Sequence, residues 1–289
     1  MAYEAIDPGR VQAVADALAL ARVEDILRLE EEADPQYEAA QRIAGSIGRG
    51  NAVVAVMLVA LVSYRLAMKG EEWWKCLASH AGAWRVQSLD DVYRSVQDFI
   101  ASCPGAALAR EAKTRRLERA FKEARSLWRE LQAKPETIRR EPARIAAGLA
   151  RALGQEPWRK TIVFSVKMGV YAARPPGDRE PVAPGVPLPV DVRVACVSYS
   201  SGITSMKPDL VLRKPRPVVE AWGRIEQASR VPALHMDTIL WLAGDRIRGR
   251  STPEARRLVS TLLAPYLGLA AYKIAQELAW RPCGTDHQE

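Results

Sequence analysis

Two amines and two aromatic rings recur at helical spacing near the middle of the chain. Lys160, Phe164, Lys167 and Tyr171 are separated by four, three and four residues, so on a helix they share one face. An ordinary amphipathic surface with amines extending into solvent produces the same pattern. The pattern also suits a flipped nucleobase, which needs an aromatic stacking surface and an amine nucleophile close to the sugar.

A single carboxylate lies about thirty residues beyond this face. Asp191 follows Pro189 and Val190 and is well placed to cap a helix N-terminus, although the β-branched content of residues 190–199 also allows a short strand. The helix-end field keeps a capping carboxylate ionised, and an ionised carboxylate beside a sugar stabilises an oxocarbenium-like transition state. The capping role and a chemical role of Asp191 are therefore compatible.

A third cluster combines a carboxylate with a large aromatic ring. Asp237 and Trp241 are four residues apart, so one helix face would present a hydrogen-bond acceptor beside a stacking surface. Core packing of the indole beside a solvated carboxylate explains such a pair equally well. For His235 we expect a structural or capping role, because nothing else in the sequence indicates a metal site.

The segment before Lys160 has the outline of a helix-hairpin-helix. A helix ending at Leu153 and Gly154 precedes a short turn, and a second helix opens near Lys160. Backbone N–H groups at such a turn can bind a DNA phosphate, because helix N-termini carry unpaired donors and partial positive charge. Helix–glycine–helix turns are also common in structural hairpins, so this outline alone does not decide the function.

Helical periodicity and capping signals dominate the remaining chain. Asp7 and Pro8 begin an amphipathic segment over residues 11–29, with a cap and a first-turn proline. Ser88, with Asp91 three residues later, resembles a capping box for a helix over residues 92–102. Further helices are predicted over 216–228, 234–243 and 253–279.

Prolines interrupt this pattern in two places. A helix that opens at Pro135 runs toward Leu153, and Pro142 within it predicts a kink or a break. Between residues 173 and 189 prolines and glycines are so frequent that regular structure cannot persist. We therefore predict an all-α protein with one long proline-rich connection, which indicates a functional loop.

Composition favours an acidic partner. The 289 residues carry a formal charge of +8 and a pI near 9.5, so nucleic acid is the first candidate and a solvated charged surface is the alternative. Residues 106–140 alternate basic and acidic side chains, which is typical of a solvent-facing helix and also permits phosphate contacts. The apolar run over residues 52–62 is about half a bilayer span and predicts a buried core helix.

The four cysteines give no sign of a metal site. They lie far apart, without a CxxC pair or a histidine at zinc-finger spacing. Residues 1–10 do not resemble a signal peptide. We therefore expect a cytoplasmic, nucleoid-associated protein with reduced cysteines and with neither a metal nor an organic cofactor.

Five sequence blocks together resemble a known family. These blocks, taken in the same order along the chain, resemble those of the archaeal 8-oxoguanine DNA glycosylase family (AGOG). This family is a divergent branch of the helix-hairpin-helix glycosylases. In that superfamily the hairpin is followed by a Gly/Pro-rich loop and an aspartate. The resemblance covers most of the chain. Its blocks are residues 34–37, 63–74, 160–171, 187–193 and 234–244.

The resemblance implies a fold, an activity and a set of site residues. The fold is an all-α, helix-hairpin-helix glycosylase-like catalytic unit, with subdomains over about 75–190 and about 1–74 plus 191–289 and the active site in the cleft between them. The activity is excision of 8-oxoguanine followed by DNA strand cleavage, with Lys160 as the Schiff-base nucleophile and Asp191 as the catalytic carboxylate. The implied base pocket consists of Gln36, Trp74, Phe164, Lys167, Asp237 and Trp241.

Chemistry assigns more specific roles within this set. Lys160 must attack as a free amine, so we expect burial and the nearby cation of Lys167 to favour its neutral form, with Asp191 opposing them. An acceptor facing N7 distinguishes 8-oxoguanine, which carries a proton there, and Gln36 is our candidate. Trp73 beside Trp74 leaves open which indole belongs to the pocket.

Two other classes of protein remain open at this point. A non-catalytic helical DNA-binding protein accounts for the charge and the hairpin. A monofunctional glycosylase would use activated water in place of the lysine. For the enzyme we expect double-stranded DNA as the partner, with single-stranded DNA as a further candidate, no membrane association and a monomeric state.

Overall fold

The computed structural model describes residues 5–284, and regular structure in that range is helical, which confirms the all-α prediction. A 3-10 turn covers Pro104–Ala106, and isolated β-bridges join Ile6 to Thr204 and Arg248 to Cys283. The α-helices of the described chain are α1 (Pro8–Leu18), α2 (Val23–Ala33), α3 (Pro35–Ile47), α4 (Arg49–Leu61), α5 (Gly70–Ala81), α6 (Leu89–Ser102), α7 (Arg110–Glu123), α8 (Arg125–Ala133), α9 (Thr137–Arg140), α10 (Pro142–Leu153), α11 (Lys160–Ala173), α12 (Val192–Ser200), α13 (Pro208–Arg213), α14 (Arg216–Ser229), α15 (Ala233–Ile247), α16 (Thr252–Leu267) and α17 (Ala270–Leu278).

Several predicted helix ends are confirmed by their caps. The Asp7 side chain accepts from the amide of Arg10, and Ser88 and Asp91 form the predicted capping box. The predicted break at Pro142 is also confirmed, because α9 ends at Arg140 and α10 begins at Pro142. Local capping chemistry therefore locates these ends correctly.

Two long predicted helices are each divided in the structure. The segment 11–29 forms α1 and α2, and both helices bury the apolar residues of one continuous pattern, so the pattern does not reveal the break. The segment 253–279 divides at Gly268, whose φ of 54° and ψ of −130° are accessible to glycine but strained for other residues. The prediction of single helices here is wrong.

Contacts divide the chain into two compact units. The central unit consists of residues 31–178 and 182–186, and the terminal unit consists of residues 5–30, 179–181 and 187–284. The predicted subdomain boundary lay near residue 74, whereas residues 31–74 belong with the central unit by this division. The division into a helix-hairpin-helix subdomain over about 75–190 and a second helical subdomain over about 1–74 plus 191–289 stays a prediction.

The core of the central unit is built around α4 and α11. Every residue from Ala52 to Leu61 is fully buried, as predicted for the apolar run. Helix α11 packs along α4, and α3 packs against both. Within residues 5–284, no helix combines the length and the apolar character that crossing a bilayer requires.

The terminal unit packs α12 against α15 and α1 against α14 and α17. The buried indole of Trp222 donates to Ser198 Oγ at 2.8 Å. Cys196 and Cys283 form a disulfide across 87 residues of sequence, so the expectation of four reduced cysteines is wrong. The spacing in the sequence could not reveal this pair, because tertiary packing brings α12 and the C-terminal segment together.

The proline-rich segment after α11 lacks helices up to Val192, as predicted. Arg139 and Asp178 form an ion pair within the central unit, and the amide of Ala183 donates to the carbonyl oxygen of Arg139 at 2.9 Å. Side-chain and backbone contacts therefore hold this part of the connection in place of regular structure.

Candidate active site

The predicted helix-hairpin-helix outline is present as α10, a turn and α11. Helix α10 ends at Gly154, whose φ of 62° is left-handed, and the amide of Gln155 donates back to Ala150 O at 2.8 Å. Helix α11 then begins at Lys160. Within the first turn of α11 the amide of Ile162 donates to Arg159 O at 2.9 Å, and helix N-terminal amides without such a partner can bind an anion.

Arg116 connects the hairpin to the core of the central unit. Its Nε donates to Leu61 O at 2.8 Å, and its Nη2 donates to Gln155 Oε1 at 3.0 Å and to Thr161 Oγ1 at 2.8 Å. Burial lowers the pKa of Arg116. The guanidinium thus binds both Gln155, at the start of the turn, and Thr161, the residue after Lys160.

The face of α11 that carries the candidate nucleophile runs from the surface into the core. Lys160 is exposed, Phe164 is half-buried, and Lys167 and Tyr171 are buried. We expected Lys160 to be buried, but it is the first residue of its helix and lies where the chain leaves the turn. Lys167 follows seven residues later, about 10 Å further along the helix axis.

Asp34 links Lys167 to the start of α3. Its Oδ2 accepts from the Tyr171 hydroxyl at 2.8 Å and lies 3.7 Å from Lys167 Nζ, while its Oδ1 accepts from the amide of Gln36 at 2.8 Å. Asp34 is only 2% exposed. One buried carboxylate therefore caps α3, which carries Gln36, and compensates the charge of Lys167.

Gln36 holds a buried acceptor that lacks a partner. The residue is 3% exposed, and among the described residues its Oε1 has no hydrogen-bond partner. A buried carbonyl oxygen without a hydrogen bond lowers the stability of the folded state by about 1–3 kcal/mol. Such an atom is a candidate for binding a ligand donor, since a ligand N–H would recover the lost hydrogen bond.

The structure distinguishes the two adjacent tryptophans. Trp73 Nε1 donates to Ser63 Oγ at 2.9 Å, and its ring packs against Phe99 with centroids 4.7 Å apart. The Trp74 ring instead lies edge to face with Phe164, with centroids 5.9 Å apart. Trp74 is thus the indole associated with the candidate α11 face, whereas Trp73 is a core residue.

In the terminal unit, Asp191 caps α12. Its Oδ1 accepts from the amides of Arg193 and Val194, each at 2.9 Å, so the helix alternative is correct and the strand alternative is wrong for residues 192–199. The carboxylate is half-buried. Two backbone amides at the N-terminus of α12 therefore hold this carboxylate in position.

Asp237 and Trp241 lie on α15, which packs against α12. Asp237 is 2% exposed, and Trp241 is half-buried. The guanidinium carbon of Arg193 lies 3.8 Å from the Trp241 ring centroid, so one face of the indole is covered by a cation. The expected structural role of His235 agrees with its burial and its 2.9 Å contact between Nδ1 and Glu30 Oε1.

The candidate residues therefore form two sets. The central unit contains the members on α3, α5 and α11, and both α5 and α11 pack against α3. The terminal unit contains the α12 and α15 members. The members of the first set are Gln36, Trp74, Lys160, Phe164 and Lys167, and those of the second are Asp191, Asp237 and Trp241.

Sequence comparison identifies the family. The family model described as "AGOG: N-glycosylase/DNA lyase" matches residues 15–277. The chain belongs to this family. An N-glycosylase/DNA lyase of Aeropyrum pernix is 43% identical over 95% of this chain and 96% of the relative, and that of Methanopyrus kandleri is 32% identical over 84% and 92%.

A solved AGOG structure has the same fold. The 8-oxoguanine DNA glycosylase of Pyrobaculum aerophilum, determined in complex with 8-oxoguanosine, superimposes with a TM-score of 0.71 at 25% identity and covers 94% of this chain and 97% of its own. The expected family and its helical glycosylase fold are thereby confirmed.

From the sequence of this AGOG member we did not identify three residues that contact the candidate site, namely Asp34, Arg116 and Arg193. Asp34 and Pro35 repeat the cap-and-proline signal of Asp7 and Pro8, so the capping role of Asp34 was detectable. Arg116 lies in the segment 106–140, for which we predicted a solvent-facing helix that also permits phosphate contacts, and Arg193 follows Asp191 by two residues. Their contacts depend on tertiary packing, which no local pattern in the sequence reports.

Proposed function

We propose that the protein is a bifunctional DNA glycosylase and AP lyase that excises 8-oxoguanine from DNA. The observation that carries the proposal is the buried, unpartnered Oε1 of Gln36 in a chain of the AGOG family. Guanine has a lone pair at N7, whereas 8-oxoguanine has an N–H there. A buried acceptor facing N7 gains a hydrogen bond from the damaged base and none from guanine, a difference of about 1–3 kcal/mol.

The proposed reaction begins with extrusion of the damaged nucleotide from the duplex, which costs a few kcal/mol of unstacking. Phe164 and Trp241 stack on the base, each contact contributing about 1–3 kcal/mol. Arg193 covers one face of the Trp241 indole, so the base uses the opposite face. Stacking offsets the extrusion without identifying the lesion.

The edge of the base is read by polar groups. Gln36 accepts from N7, and Lys167, Asp237 and Trp74 supply the other donors and acceptors. Asp34 supports two of these groups, because it caps the helix that carries Gln36 and lies 3.7 Å from Lys167 Nζ. Because Asp34 positions the Lys167 ammonium, that group can donate a hydrogen bond to an oxygen of the base. It also needs no new counterion when the base binds.

Lys160 performs the covalent step. Its neutral Nζ attacks C1′ of the sugar, the bond between C1′ and the base breaks, and Asp191 stabilises the positive charge that develops on the sugar. One amine proton goes to the departing base and the other to the ring oxygen O4′ as the bond between C1′ and O4′ breaks, which opens the ring and leaves a Schiff base between Nζ and C1′. Removal of a C2′ proton then breaks the C3′–O bond, which cleaves the strand 3′ to the lesion.

Lys160 is exposed in the free protein, so DNA itself must exclude water from the amine. Bound substrate would cover the first turn of α11 and remove water from around the amine. Exposure before binding and dehydration after binding are consistent with a nucleophile that becomes active only on the substrate.

Borohydride trapping tests the lysine directly. A duplex carrying 8-oxoguanine is incubated with the wild-type chain, with Lys160→Ala and with Lys122→Ala, an exposed lysine of α7. We expect covalent complexes with the wild type and with Lys122→Ala, and none with Lys160→Ala. Base release without trapping by the wild type would identify a monofunctional glycosylase. Binding without base release would identify a non-catalytic DNA-binding protein.

The proposed enzyme acts on DNA as a monomer. The substrate is double-stranded DNA, with single-stranded DNA as a second substrate to be compared in the same assay. The active species is a monomer, and because its substrate is DNA we place it with the nucleoid in the cytoplasm. Sedimentation of the free protein tests the oligomeric state.

A further inference from the structure

Two thiols of the central unit are in contact. Cys76 lies on α5 and is half-buried, and Cys103 follows the last residue of α6 and is buried. Their sulfur atoms are 3.2 Å apart. A disulfide holds its sulfurs at about 2.05 Å, so bond formation requires an approach of only about 1 Å.

Neighbouring packing keeps the thiols at this spacing. The Phe99 ring of α6 packs against two rings of α5, with its centroid 4.7 Å from that of Trp73 and 5.3 Å from that of His80. The amide of Cys103 donates to Phe99 O at 2.8 Å. Because these contacts fix both backbones, each thiol experiences a high effective concentration of the other.

We propose that Cys76 and Cys103 form a second disulfide, with a low-molecular-weight disulfide such as oxidised glutathione as the oxidant. Cys76 is the more exposed of the two residues, and burial raises the pKa of its thiol, so the attacking thiolate is a small fraction and the first step is slow. This thiolate attacks one sulfur of the small disulfide, releases one small thiolate and forms a mixed disulfide. The Cys103 thiolate then attacks the Cys76 sulfur and releases the second small thiolate. The protein loses two electrons and two protons, and the oxidant gains them as two small thiols.

This bond would join the middle of α5 to the end of α6. It would close a loop spanning 27 residues of sequence on the helix that also carries Trp74. The terminal unit already contains the disulfide between Cys196 and Cys283, so each unit would contain one cross-link. Intracellular disulfides of this kind are typical of proteins from hyperthermophiles.

Peptide mapping of the full chain tests the proposal. The reduced protein is treated with oxidised glutathione, denatured, alkylated with iodoacetamide and digested with trypsin without reductant. Cleavage after Lys75, Arg85, Arg94 and Arg110 places the two cysteines on peptides 76–85 and 95–110. We expect these peptides as one cross-linked species, without a glutathione adduct. Recovery of both peptides in alkylated form, or a lasting glutathione adduct on Cys76, overturns the proposal.

The variant Cys103→Ser provides the matched control. It retains the attacking thiol and lacks the resolving thiol, so we expect a stable glutathione adduct on peptide 76–85 in place of the cross-link. If this variant does not fold, the wild-type map still decides the question. The readout is a mass, so it does not depend on whether the proposed glycosylase reaction is correct.

Discussion

Three polar side chains of the central unit are almost completely buried, and their partners differ. Asp34, Gln36 and Lys167 are 2%, 3% and 1% exposed. The carboxylate and the ammonium compensate each other, which reduces the penalty of burying either charge. The carbonyl oxygen of Gln36 has no such compensation among the described residues. At the scale of the residue, this uncompensated atom is the part of the fold best explained by a ligand.

Removal of the Gln36 acceptor should reduce selection of the damaged base. We expect Gln36→Ala to lower kcat/KM for 8-oxoguanine about 10- to 100-fold, because one hydrogen bond to a buried donor is lost. Single-turnover release of the base measures this effect. Gln97→Ala, a half-buried glutamine of α6 that already bonds Tyr93, should leave the rate unchanged. Equal losses in both variants would contradict the role of Gln36.

The reduced form of Cys76 should react slowly with alkylating agents. Burial, together with the contact to Cys103, raises the pKa of Cys76 to about 12, whereas an ordinary thiol ionises near about 8.5. Because the thiolate is the reactive form, its alkylation in reduced, folded protein should be at least about 100-fold slower at pH 8.5 than in guanidinium, and should rise with pH toward 12. Timed iodoacetamide labelling of peptide 76–85 measures the rate. Equal rates in folded and unfolded protein would show that the thiol is not shielded.

At the scale of the element, helix ends and helix crossings place the candidate side chains. Asp191 begins α12 and Asp34 begins α3, each by accepting backbone amides. The caps of α1 and α6 and the break before α10 follow from local residue types and were predicted. The divisions between α1 and α2 and between α16 and α17 were not, since both helices of each pair continue one apolar pattern.

The two Asp-Pro caps allow a matched test of Asp34. Asparagine retains N-capping, so Asp34→Asn should preserve α3 while removing the charge beside Lys167. We expect base release to fall about 10-fold or more and cleavage of a preformed abasic site to persist. Asp7→Asn, the same change at the start of α1, should alter neither rate. Equal loss of both activities in Asp34→Asn would indicate a general structural defect.

Close approach of α12 and α15 requires a glycine at position 244. A Cβ there would lie 2.7 Å from Arg193 Cβ and 3.1 Å from Arg193 O. We expect Gly244→Ala to lower the free energy of unfolding by about 1–3 kcal/mol through overpacking, as measured by chemical denaturation. Gly223→Ala on α14, where a Cβ would meet nothing within 4 Å, should instead stabilise by about 0.5–1 kcal/mol. A stable Gly244→Ala protein would show that the crossing can relax.

At the scale of the whole molecule, the net positive charge of the chain favours binding to DNA. Most of the net charge of +8 lies in the central unit, whose residues 31–178 and 182–186 carry 24 basic and 17 acidic side chains, and arginines are frequent between residues 110 and 151. Binding to a polyanion releases condensed counterions in proportion to the phosphates contacted. The charge therefore supports affinity for DNA of any sequence, while we propose that recognition of the damaged base depends on the buried groups described above.

Affinity for DNA should consequently fall steeply with salt. For about six to ten contacted phosphates, we expect the affinity for an undamaged duplex to fall about 10³- to 10⁵-fold between 50 and 200 mM salt. Fluorescence anisotropy at several salt concentrations measures the slope. An affinity that does not change with salt would contradict a phosphate-binding surface.

The sequence by itself determined the helical class, the caps, the hairpin outline, the family and the candidate residues, because helix periodicity, capping and motif order are local properties of the chain. Only the tertiary structure showed that Trp74 rather than Trp73 contacts Phe164 and that Lys160 is exposed. It also paired Asp34 with Lys167 and Cys196 with Cys283. These contacts join residues far apart in sequence, and their partners are selected by the packing of whole helices, which no local pattern encodes.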